Sequence, residues 1–459
     1  MLTYAFATLL ALTLISYLIG RRRAVMAVDG RTYRLHSRPA YHASFVAAWV
    51  GIPASLFLLL WIAIQGPVLD RLIIGTLPEG VLANKSTGEL SLILSQIKSV
   101  ADGTIFGNPD PFVLEAGERL RNWRGIAQLS MFASAAVLAM LGLVVAQWRI
   151  SPEFRARQAV ERILDALMIA CAVVAILTTL GIVVSLLLEA LRFFQRVSLF
   201  EFLFGLNWEP QIAMRPDQAS AGGAFGAIPV FVGTFLIALI AMAVAIPIGL
   251  LSAIYLTEYA SSRFRAVIKP LLEVLAGIPT VVYGFFAVLV VAPALRSFGE
   301  AIGLPIAPNS ALAAGGVMGI MIIPFISSLS DDAINAVPRS MRDGSLALGA
   351  TKSETIVRVL LPAALPGIMG GILLAVSRAI GETMIVVMAA GIIASLTLNP
   401  FQPVTTVTVQ IVTLLIGDTE FDNPKTLAAF ALGLVLFLST LVLNIIAMRI
   451  VQRYREQYE

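Results

Sequence analysis

"DGSLALGATKSETIVRVLLP", residues 343–362, lies between two strongly apolar stretches and carries local signals for a short helix. Just before and within it, Ser340 and Asp343 have the spacing of a capping box. In such a box a hydroxyl accepts from an early backbone N–H and an acid occupies the first turn. Gly349 suits the left-handed conformation that commonly ends a helix. These signals predict a helix that ends at a glycine.

A second helix is predicted directly after that glycine. Thr351 and Glu354 repeat the capping-box spacing, and "SETIVRVLL" follows. Pro362 then begins the next apolar stretch, where its missing N–H costs nothing. On capping alone, an ordinary capped loop explains the signals as well as a helix–Gly–helix element that protrudes from a membrane.

The composition around this stretch is that of a membrane protein. Hydrophobic residues make up 58% of the 459 positions and charged residues 13%, whereas soluble proteins carry roughly 25% charged residues. The single cysteine, Cys171, excludes an intrachain disulfide and a cysteine metal cluster. His36 and His42 lie together near the first polar segment, which argues against a histidine-based active site.

A bilayer core of about 30 Å requires about 20 apolar residues in a helix. By this measure the chain is all-α and polytopic, with about nine transmembrane helices. Their predicted limits are 2–20, 43–65, 126–148, 166–188, 228–252, 270–292, 311–328, 363–395 and 426–448.

Arginine and lysine crowd alternate links, which sets the predicted orientation. The basic links are those after spans one, three, five and seven, together with the segment after span nine. The positive-inside rule makes their side the cytoplasm. The N-terminus is then periplasmic, the C-terminus is cytoplasmic, and the 66–125 segment is an external loop. Arg119, Arg121 and Arg124 are a local exception to the charge rule.

The polar segment 149–163 divides the chain in two. We predict an N-terminal extension, residues 1–150, with three spans, and a six-span core, residues 165–459. The one long cytoplasmic link of the core runs over about 329–362 and contains the helix–Gly–helix signals.

This link resembles the cytoplasmic EAA loop of type I ABC-importer permeases, with the spacing EAA, three residues, Gly, nine residues and Ile-x-Leu-Pro. Asp343, Gly344 and Ser345 occupy the EAA positions and Gly349 the glycine position. Val359, Leu361 and Pro362 occupy the final positions, so the departures are DGS for EAA and Val for Ile. The resemblance implies a coupling helix that docks on an ATP-binding subunit. The implied ATPase-coupling residues are Asp343, Gly344, Ser345, Leu346, Ala347, Leu348, Gly349 and Ala350.

Four further stretches are similar to the phosphate-specific PstC family of these permeases: 202–210, 246–260, 276–288 and "SRAIGETM", residues 377–384. The similarity implies an inorganic phosphate importer in a bacterial inner membrane. It implies a PstA-like second permease, a PstB-like ATPase dimer and a PstS-like periplasmic phosphate-binding protein as partners. The chain has no G-x-x-x-x-G-K-[ST] run, so ATP and Mg are expected on the partner ATPase, and this chain is expected to bind no cofactor and to be no enzyme.

Within "SRAIGETM", Arg378 and Glu382 are the only charges between Arg358 and Asp418. Their i, i+4 spacing places both side chains on one face of a helix, within reach of each other. Charged residues inside spans usually mark a pathway, and a guanidinium matches phosphate oxygens. We expect Arg378 to meet the anion, Glu382 to hold Arg378 and lower its affinity, and Thr383 to be a further pathway residue.

Several alternatives stay open at this point. The Arg–Glu pair also fits a structural contact between two permease subunits. A permease for sulfate or molybdate, or the PstA-type partner, shares the coupling loop. A stand-alone channel or secondary carrier needs no docking helix. An intramembrane enzyme needs a nucleophile–base pair or metal ligands, and the predicted spans contain no histidine and only Cys171. The apolar stretch 363–395 exceeds one span, so it must tilt, break near Gly381 or begin in the cytoplasm.

Overall fold

A computed structural model describes residues 2–78, 87–104, 110–210, 223–416 and 423–453. Within these residues, nine helices are long and apolar enough to cross a membrane. This confirms the predicted all-α polytopic fold with nine spans. The chain forms two compact units, residues 1–177 and 178–459. Their boundary lies within one long helix, whereas the predicted division placed the extension at 1–150 and the core at 165–459.

The first unit is a group of long helices. Their bounds are α1 Leu2–Met26, α2 Pro39–Gly75, α3 Thr87–Ala101, α4 Pro111–Trp148 and α5 Ala156–Phe194, with a 3₁₀ turn at Thr32–Arg34. At 1.5 Å per residue, helices of 37 to 39 residues are about 55 Å long. This is well beyond the roughly 30 Å of a bilayer core, so α2, α4 and α5 continue past the membrane.

The extension of α2 and α4 forms a small helical subdomain with α3. Its hydrophobic cluster includes Ile73, Ile97 and Leu120, all nearly fully buried. Arg124 pairs with Asp102 at 2.6 Å across this subdomain. The arginines near 119–124, which depart from the charge rule, therefore include one that serves the packing of α3 against α4.

The second unit begins within the C-terminal half of α5, passes through a short irregular region and continues as a helical bundle. A two-residue β1, Trp208–Glu209, pairs antiparallel with β2, Ala224–Phe225, with Trp208 opposite Phe225. The helices are α6 Leu199–Phe204, α7 Ile228–Ile254, α8 Ser262–Ala276, α9 Thr280–Phe286, α10 Ala292–Ile302, α11 Ala311–Asn335, α12 Arg339–Ala347, α13 Lys352–Thr355, α14 Leu361–Ile380, α15 Met384–Ala389, α16 Val407–Leu415 and α17 Pro424–Arg453. π-helical turns at Tyr255–Tyr259, Ala287–Val291 and Ile356–Leu360 interrupt the regular geometry.

Helix α11 is the centre of the second unit and packs closely on α7. A Cβ added at Gly319 would lie 2.8 Å from Val244 Cβ, and one added at Gly315 would lie 2.8 Å from Ile240 Cβ. Gly315 and Gly319 form the small-xxx-small spacing that lets helix backbones approach in membranes. This packing buries most of α11 and fixes the position of the helices around it.

Several predicted span limits differ from the structure, and two of them, in the sixth and seventh spans, are informative. The sixth span, predicted at 270–292, is Thr280–Ile302, because Pro279 separates it from α8. The seventh, predicted at 311–328, continues to Asn335, so the link predicted to begin at 329 begins later. The sixth span begins after a proline and the seventh continues through polar residues to Asn335, whereas hydropathy follows only the apolar run.

Candidate functional site

The stretch "SRAIGETM" lies at a break between two helices. α14 ends at Ile380, and Gly381 is its C-terminal cap residue. The Glu382 carboxylate, in a residue only 9% exposed, accepts from the backbone N–H of Met384 at 3.0 Å and of Ile385 at 3.4 Å. The side chain of Glu382 thus satisfies the first donors of α15. The stretch 363–395 therefore breaks near Gly381, and its helix also begins earlier, at Lys352.

The predicted contact between Arg378 and Glu382 is wrong. The i, i+4 relation requires a helix that continues through residue 382, and α14 ends two residues before it. Within the described residues no carboxylate oxygen lies within 4.0 Å of the Arg378 guanidinium. Arg378 is exposed in this chain, with its Cζ 5.8 Å from the centre of the Phe325 ring. Cation–π contact at this distance is favourable and leaves every N–H of the guanidinium available.

The break is held by α16 and by its own turn. Thr408 Oγ1 donates to the backbone oxygen of Glu382 at 2.9 Å. Thr383 Oγ1 lies 3.4 Å from the backbone oxygen of Gly381, and this threonine is half-buried. The structure therefore brings Glu382 and Thr383 into one turn beside Arg378, although the two charged side chains do not pair.

A buried glutamine next to this break has no counterpart in the sequence-based prediction. Gln410, 5% exposed, accepts from Trp208 Nε1 at 2.9 Å and donates to the Ile392 carbonyl at 2.6 Å. It also donates to Thr405 Oγ1 at 3.2 Å. Non-helical backbone at membrane depth must be satisfied inside the protein, and Gln410 does this for the segment between α15 and α16. A lone glutamine in the apolar run 407–415 is the signal that indicates such a role.

The long link between spans seven and eight forms two helices joined at a glycine. Gly349 has φ +88°, the left-handed conformation that was predicted. The Thr351–Glu354 capping box is present: Thr351 N–H donates to Glu354 Oε2 at 2.9 Å, and Glu354 N–H donates to Thr351 Oγ1 at 3.3 Å.

The other predicted capping box, Ser340 with Asp343, does not form. α12 begins at Arg339 with Pro338 as its cap residue and with no side-chain cap hydrogen bond. Pro338, with φ −54° and ψ 133°, turns the chain into the helix two residues early, so Ser340 already lies inside it.

Most of the predicted coupling residues are on the surface. Leu348 is 91% exposed and Leu346 is 46% exposed. Ser345 is half-buried, and its hydroxyl lies 3.0 Å from that of Thr355. The exposed members are Asp343, Gly344, Leu346, Ala347, Leu348 and Gly349, whereas Ser345 and Ala350 are intermediate.

A buried charge cluster lies at the same end of the bundle. The Asp331 side chain, 4% exposed, accepts from Arg265 Nη2 at 2.9 Å and from Lys269 Nζ at 2.7 Å. Thr257 and Asn335 add hydrogen bonds to the same carboxylate. The hydrogen bond to Asp331 raises the pKa of Lys269 above its ordinary value. This cluster joins α8 to α11.

A second pair ties α12 to the same region. Arg342 of α12 donates to Glu258, whose side chain is 4% exposed and belongs to the π-helical turn after α7. Sequence reasoning missed Asp331 and Glu258, because their partners lie more than 60 residues away along the chain.

Comparison with known proteins adds to this geometry. A family model described as "Binding-protein-dependent transport system inner membrane component" matches residues 245–456. A second model, described as "Phosphate ATP-binding cassette transporter", matches residues 6–178.

Two curated relatives match most of their own length. The chain is 36% identical over 269 residues to the probable ABC transporter permease protein YqgH of Bacillus subtilis (strain 168), covering 58% of this chain and 83% of that protein. It is 32% identical over 272 residues to the phosphate transport system permease protein PstC of Mesorhizobium japonicum, covering 55% and 79%. A chain of a bacterial ABC transporter involved in alginate import aligns over 66% of this chain and all of that chain, at 15% identity and a TM-score of 0.47. That similarity is too low to carry an argument.

With its membrane-spanning helical bundle and its helix–Gly–helix link, the chain is a permease of the ABC-transporter class. Within that class it belongs to the PstC family of phosphate transport system permeases.

Proposed function

We propose that this chain is the permease subunit of an ATP-driven importer of inorganic phosphate and forms half of the translocation pathway. The observation that carries the proposal is the guanidinium of Arg378, which is exposed at the end of a membrane helix and has no carboxylate partner among the residues that the structure describes. Family membership supports phosphate as the substrate, since the PstC relatives are phosphate transport system permeases. We place this chain in a bacterial inner membrane, with its C-terminus in the cytoplasm and its N-terminus in the periplasm.

Placing the charged Arg378 side chain in a membrane span costs free energy, which contact with water, an anion or another protein group must offset. An Arg side chain at mid-membrane costs about 3 kcal/mol on insertion scales and more than roughly 10 kcal/mol in simulations of isolated helices. Such a residue faces a water-filled path or another subunit, not lipid. A guanidinium in a water-filled path attracts an oxyanion, and its planar fork of donors matches two oxygens of phosphate.

Glu382 and Thr383, in the turn between α14 and α15, would then modify anion binding at Arg378. The carboxylate of Glu382 is engaged by the N–H groups of α15, so it leaves Arg378 free and still contributes a nearby negative charge. That charge weakens anion binding at Arg378, which a pathway requires because a tight site retains its substrate. The Thr383 hydroxyl is an additional donor beside the path.

The other half of the proposal concerns the link at 339–350. Its exposed Leu346 and Leu348 offer an apolar contact for a cleft on a PstB-like ATPase, which would hold ATP and Mg²⁺. The Arg342–Glu258 pair would transmit movement of α12 to α7. A PstA-like permease would complete the pathway, and a PstS-like protein would deliver phosphate from the periplasm.

The test is phosphate uptake and coupled ATP hydrolysis in proteoliposomes that contain this chain with its PstA-like, PstB-like and PstS-like partners. Arg378→Gln is expected to lower uptake at least about tenfold, because the variant loses a charge-assisted hydrogen bond to the anion. Arg296→Gln, which removes an exposed arginine paired with Glu300, is the matched control and should transport normally.

Normal transport by Arg378→Gln in an assembled complex would refute the pathway role. Uptake of sulfate or molybdate in place of phosphate would refute the substrate and keep the permease class. Failure of any ATPase to co-purify with the wild-type chain would refute the docking role of residues 339–350.

A further inference from the structure

Two segments of the first unit, 21–38 and 149–165, are exceptionally rich in arginine. They contain no lysine and only four carboxylates: Asp29, Glu153, Glu161 and Asp165. Their ten arginines are Arg21, Arg22, Arg23, Arg31, Arg34, Arg38, Arg149, Arg155, Arg157 and Arg162. The basic links of the second unit, by contrast, include Lys269 and Lys352.

The two segments form one continuous surface, here named the arginine face. His36 N–H donates to the Pro152 carbonyl at 2.9 Å, and Arg157 N–H donates to Ser37 Oγ at 3.2 Å. Buried apolar residues beneath, including Leu35 and Ile150, belong to one hydrophobic cluster. The arginines of both segments therefore lie on the same end of the first unit.

Nine of the ten guanidinium groups of this face have no carboxylate partner within the described part of the chain. All ten arginines are exposed. Among the described residues, Arg157 has a carboxylate partner, Glu161 at 2.7 Å, and the other nine arginines have none within 4.0 Å. Nine like charges on one surface repel each other, so the face attracts anions from outside the chain.

The position of the face indicates where those anions come from. It lies between the ends of four candidate spans, at Met26, Pro39, Trp148 and Ala156. Trp148, the last residue of α4, is 84% exposed, and Tyr33, in the turn between α1 and α2, is 78% exposed. Exposed Trp and Tyr are typical of the membrane–water interface, where their rings lie among lipid headgroups.

We propose that the arginine face binds the headgroups of anionic phospholipids, with guanidinium groups donating to lipid phosphate oxygens. Basic clusters beside membrane helices attract anionic lipids through their surface charge. Arginine adds a planar, bidentate match to phosphate that lysine lacks. The proposal does not depend on which substrate the permease transports.

The test measures how much phospholipid stays with the purified full-length chain. The chain in detergent micelles is equilibrated with phosphatidylglycerol or with phosphatidylcholine, and bound lipid is counted by native mass spectrometry. The triple variant Arg31→Gln, Arg34→Gln, Arg38→Gln is expected to retain at least about tenfold less phosphatidylglycerol than the wild type. The same three positions changed to Lys keep the charge, and should retain an intermediate amount.

Two controls keep the result specific. A second triple variant, Arg119→Gln, Arg192→Gln, Arg296→Gln, removes three arginines whose side chains are 41 to 61% exposed and are paired with carboxylates elsewhere. It changes the net charge equally and should retain lipid as the wild type does. Millimolar inorganic phosphate, compared with sodium chloride at equal ionic strength, separates a headgroup site from a site for a free anion.

Four outcomes would overturn the proposal. The first is equal retention of phosphatidylcholine and phosphatidylglycerol by the wild type. The second is unchanged phosphatidylglycerol retention by the Gln triple variant, which would leave the arginines with a role in membrane orientation alone. The third is displacement of the lipid by phosphate but not by chloride, which would assign the face to a free anion. If the Lys variant matches the wild type, charge alone suffices and the guanidinium argument fails.

Discussion

Replacing Asp331 with asparagine removes the charge that holds the α8–α11 junction together. The Asp331 side chain is 4% exposed, and its two oxygens accept from Arg265 and Lys269. Asparagine keeps one acceptor oxygen and places an N–H₂ group toward the two cations, so at least one of them loses its partner. Removing one member of a buried ion pair costs about 3 to 5 kcal/mol. Because Arg265 and Lys269 are about one-third exposed, water recovers part of this, and about 2 to 3 kcal/mol is expected.

Thermal unfolding of the purified chain in detergent measures this loss. Because the entropy of unfolding grows with chain length, a cost of 2 to 3 kcal/mol in a chain of 459 residues lowers the melting temperature by roughly 2 to 3 °C. Asp332→Asn is the matched control, since its side chain is 66% exposed and 3.5 Å from Lys269 Nζ. Its effect should stay within about 0.5 kcal/mol.

The pH dependence of the same variant follows from Lys269. The hydrogen bond to Asp331 raises the pKa of Lys269 in the folded chain. A raised folded-state pKa means that the stabilisation is fully present below the unfolded value of about 10.4 and is lost as pH rises through the folded value. The difference between wild type and Asp331→Asn should therefore be equal at pH 7 and pH 9, and should shrink above about pH 10.4. A melting temperature of Asp331→Asn equal to that of the wild type at pH 7 would refute the reasoning.

Four further changes test other contacts. Gly319→Ala should lower the free energy of unfolding by about 1 to 3 kcal/mol, because the added methyl group overpacks against α7. Its control, Gly316→Ala, should be neutral, since its added Cβ meets nothing within 4 Å. Equal melting temperatures of the two variants would contradict the close packing. Glu382→Ala should lower the free energy of unfolding by about 1 to 3 kcal/mol for each N–H left without an acceptor, and Glu382→Gln by less than half of that. Thermal unfolding measures both losses. Equal losses would show that the side-chain acceptor is unimportant. Trp208→Phe leaves a buried amide oxygen unsatisfied and should also cost about 1 to 3 kcal/mol, an expectation that unchanged melting would disprove. Leu348→Ser should leave melting unchanged, since the residue is 91% exposed, and should reduce co-purification of the ATPase several-fold; full co-purification would remove Leu348 from the docking surface.

Features that depend on near neighbours along the chain were predictable. Nine spans follow from hydropathy, because a helix in lipid satisfies each backbone group within its own segment. Gly349 and the Thr351–Glu354 box were likewise predictable, since three-residue spacings decide both. The capping box predicted at Ser340 does not form, because Pro338 starts the helix earlier. Residue spacing alone does not show which of these two local signals begins the helix.

The candidate pathway site was only half predictable. The sequence by itself determined that Arg378 and Glu382 are isolated charges in an apolar stretch, a pattern that predicts a functional stretch. It did not determine whether the helix continues through Gly381, because the apolar period is the same on both sides of a break. Tertiary structure decided this: Thr408 of α16 donates to the backbone of Glu382 and stabilises the interrupted form.

The buried charges show the same division. Composition alone determined that the chain spans a membrane, and the spacing of residues 343–362 indicated its family. Only the packing of α7, α8, α11 and α12 decided that Asp331 meets Arg265 and Lys269, and that Glu258 meets Arg342, at separations of 62 to 84 residues. The physical reason is that a helix forms from contacts within a few residues, whereas an ion pair between helices depends on which faces approach after the bundle has assembled.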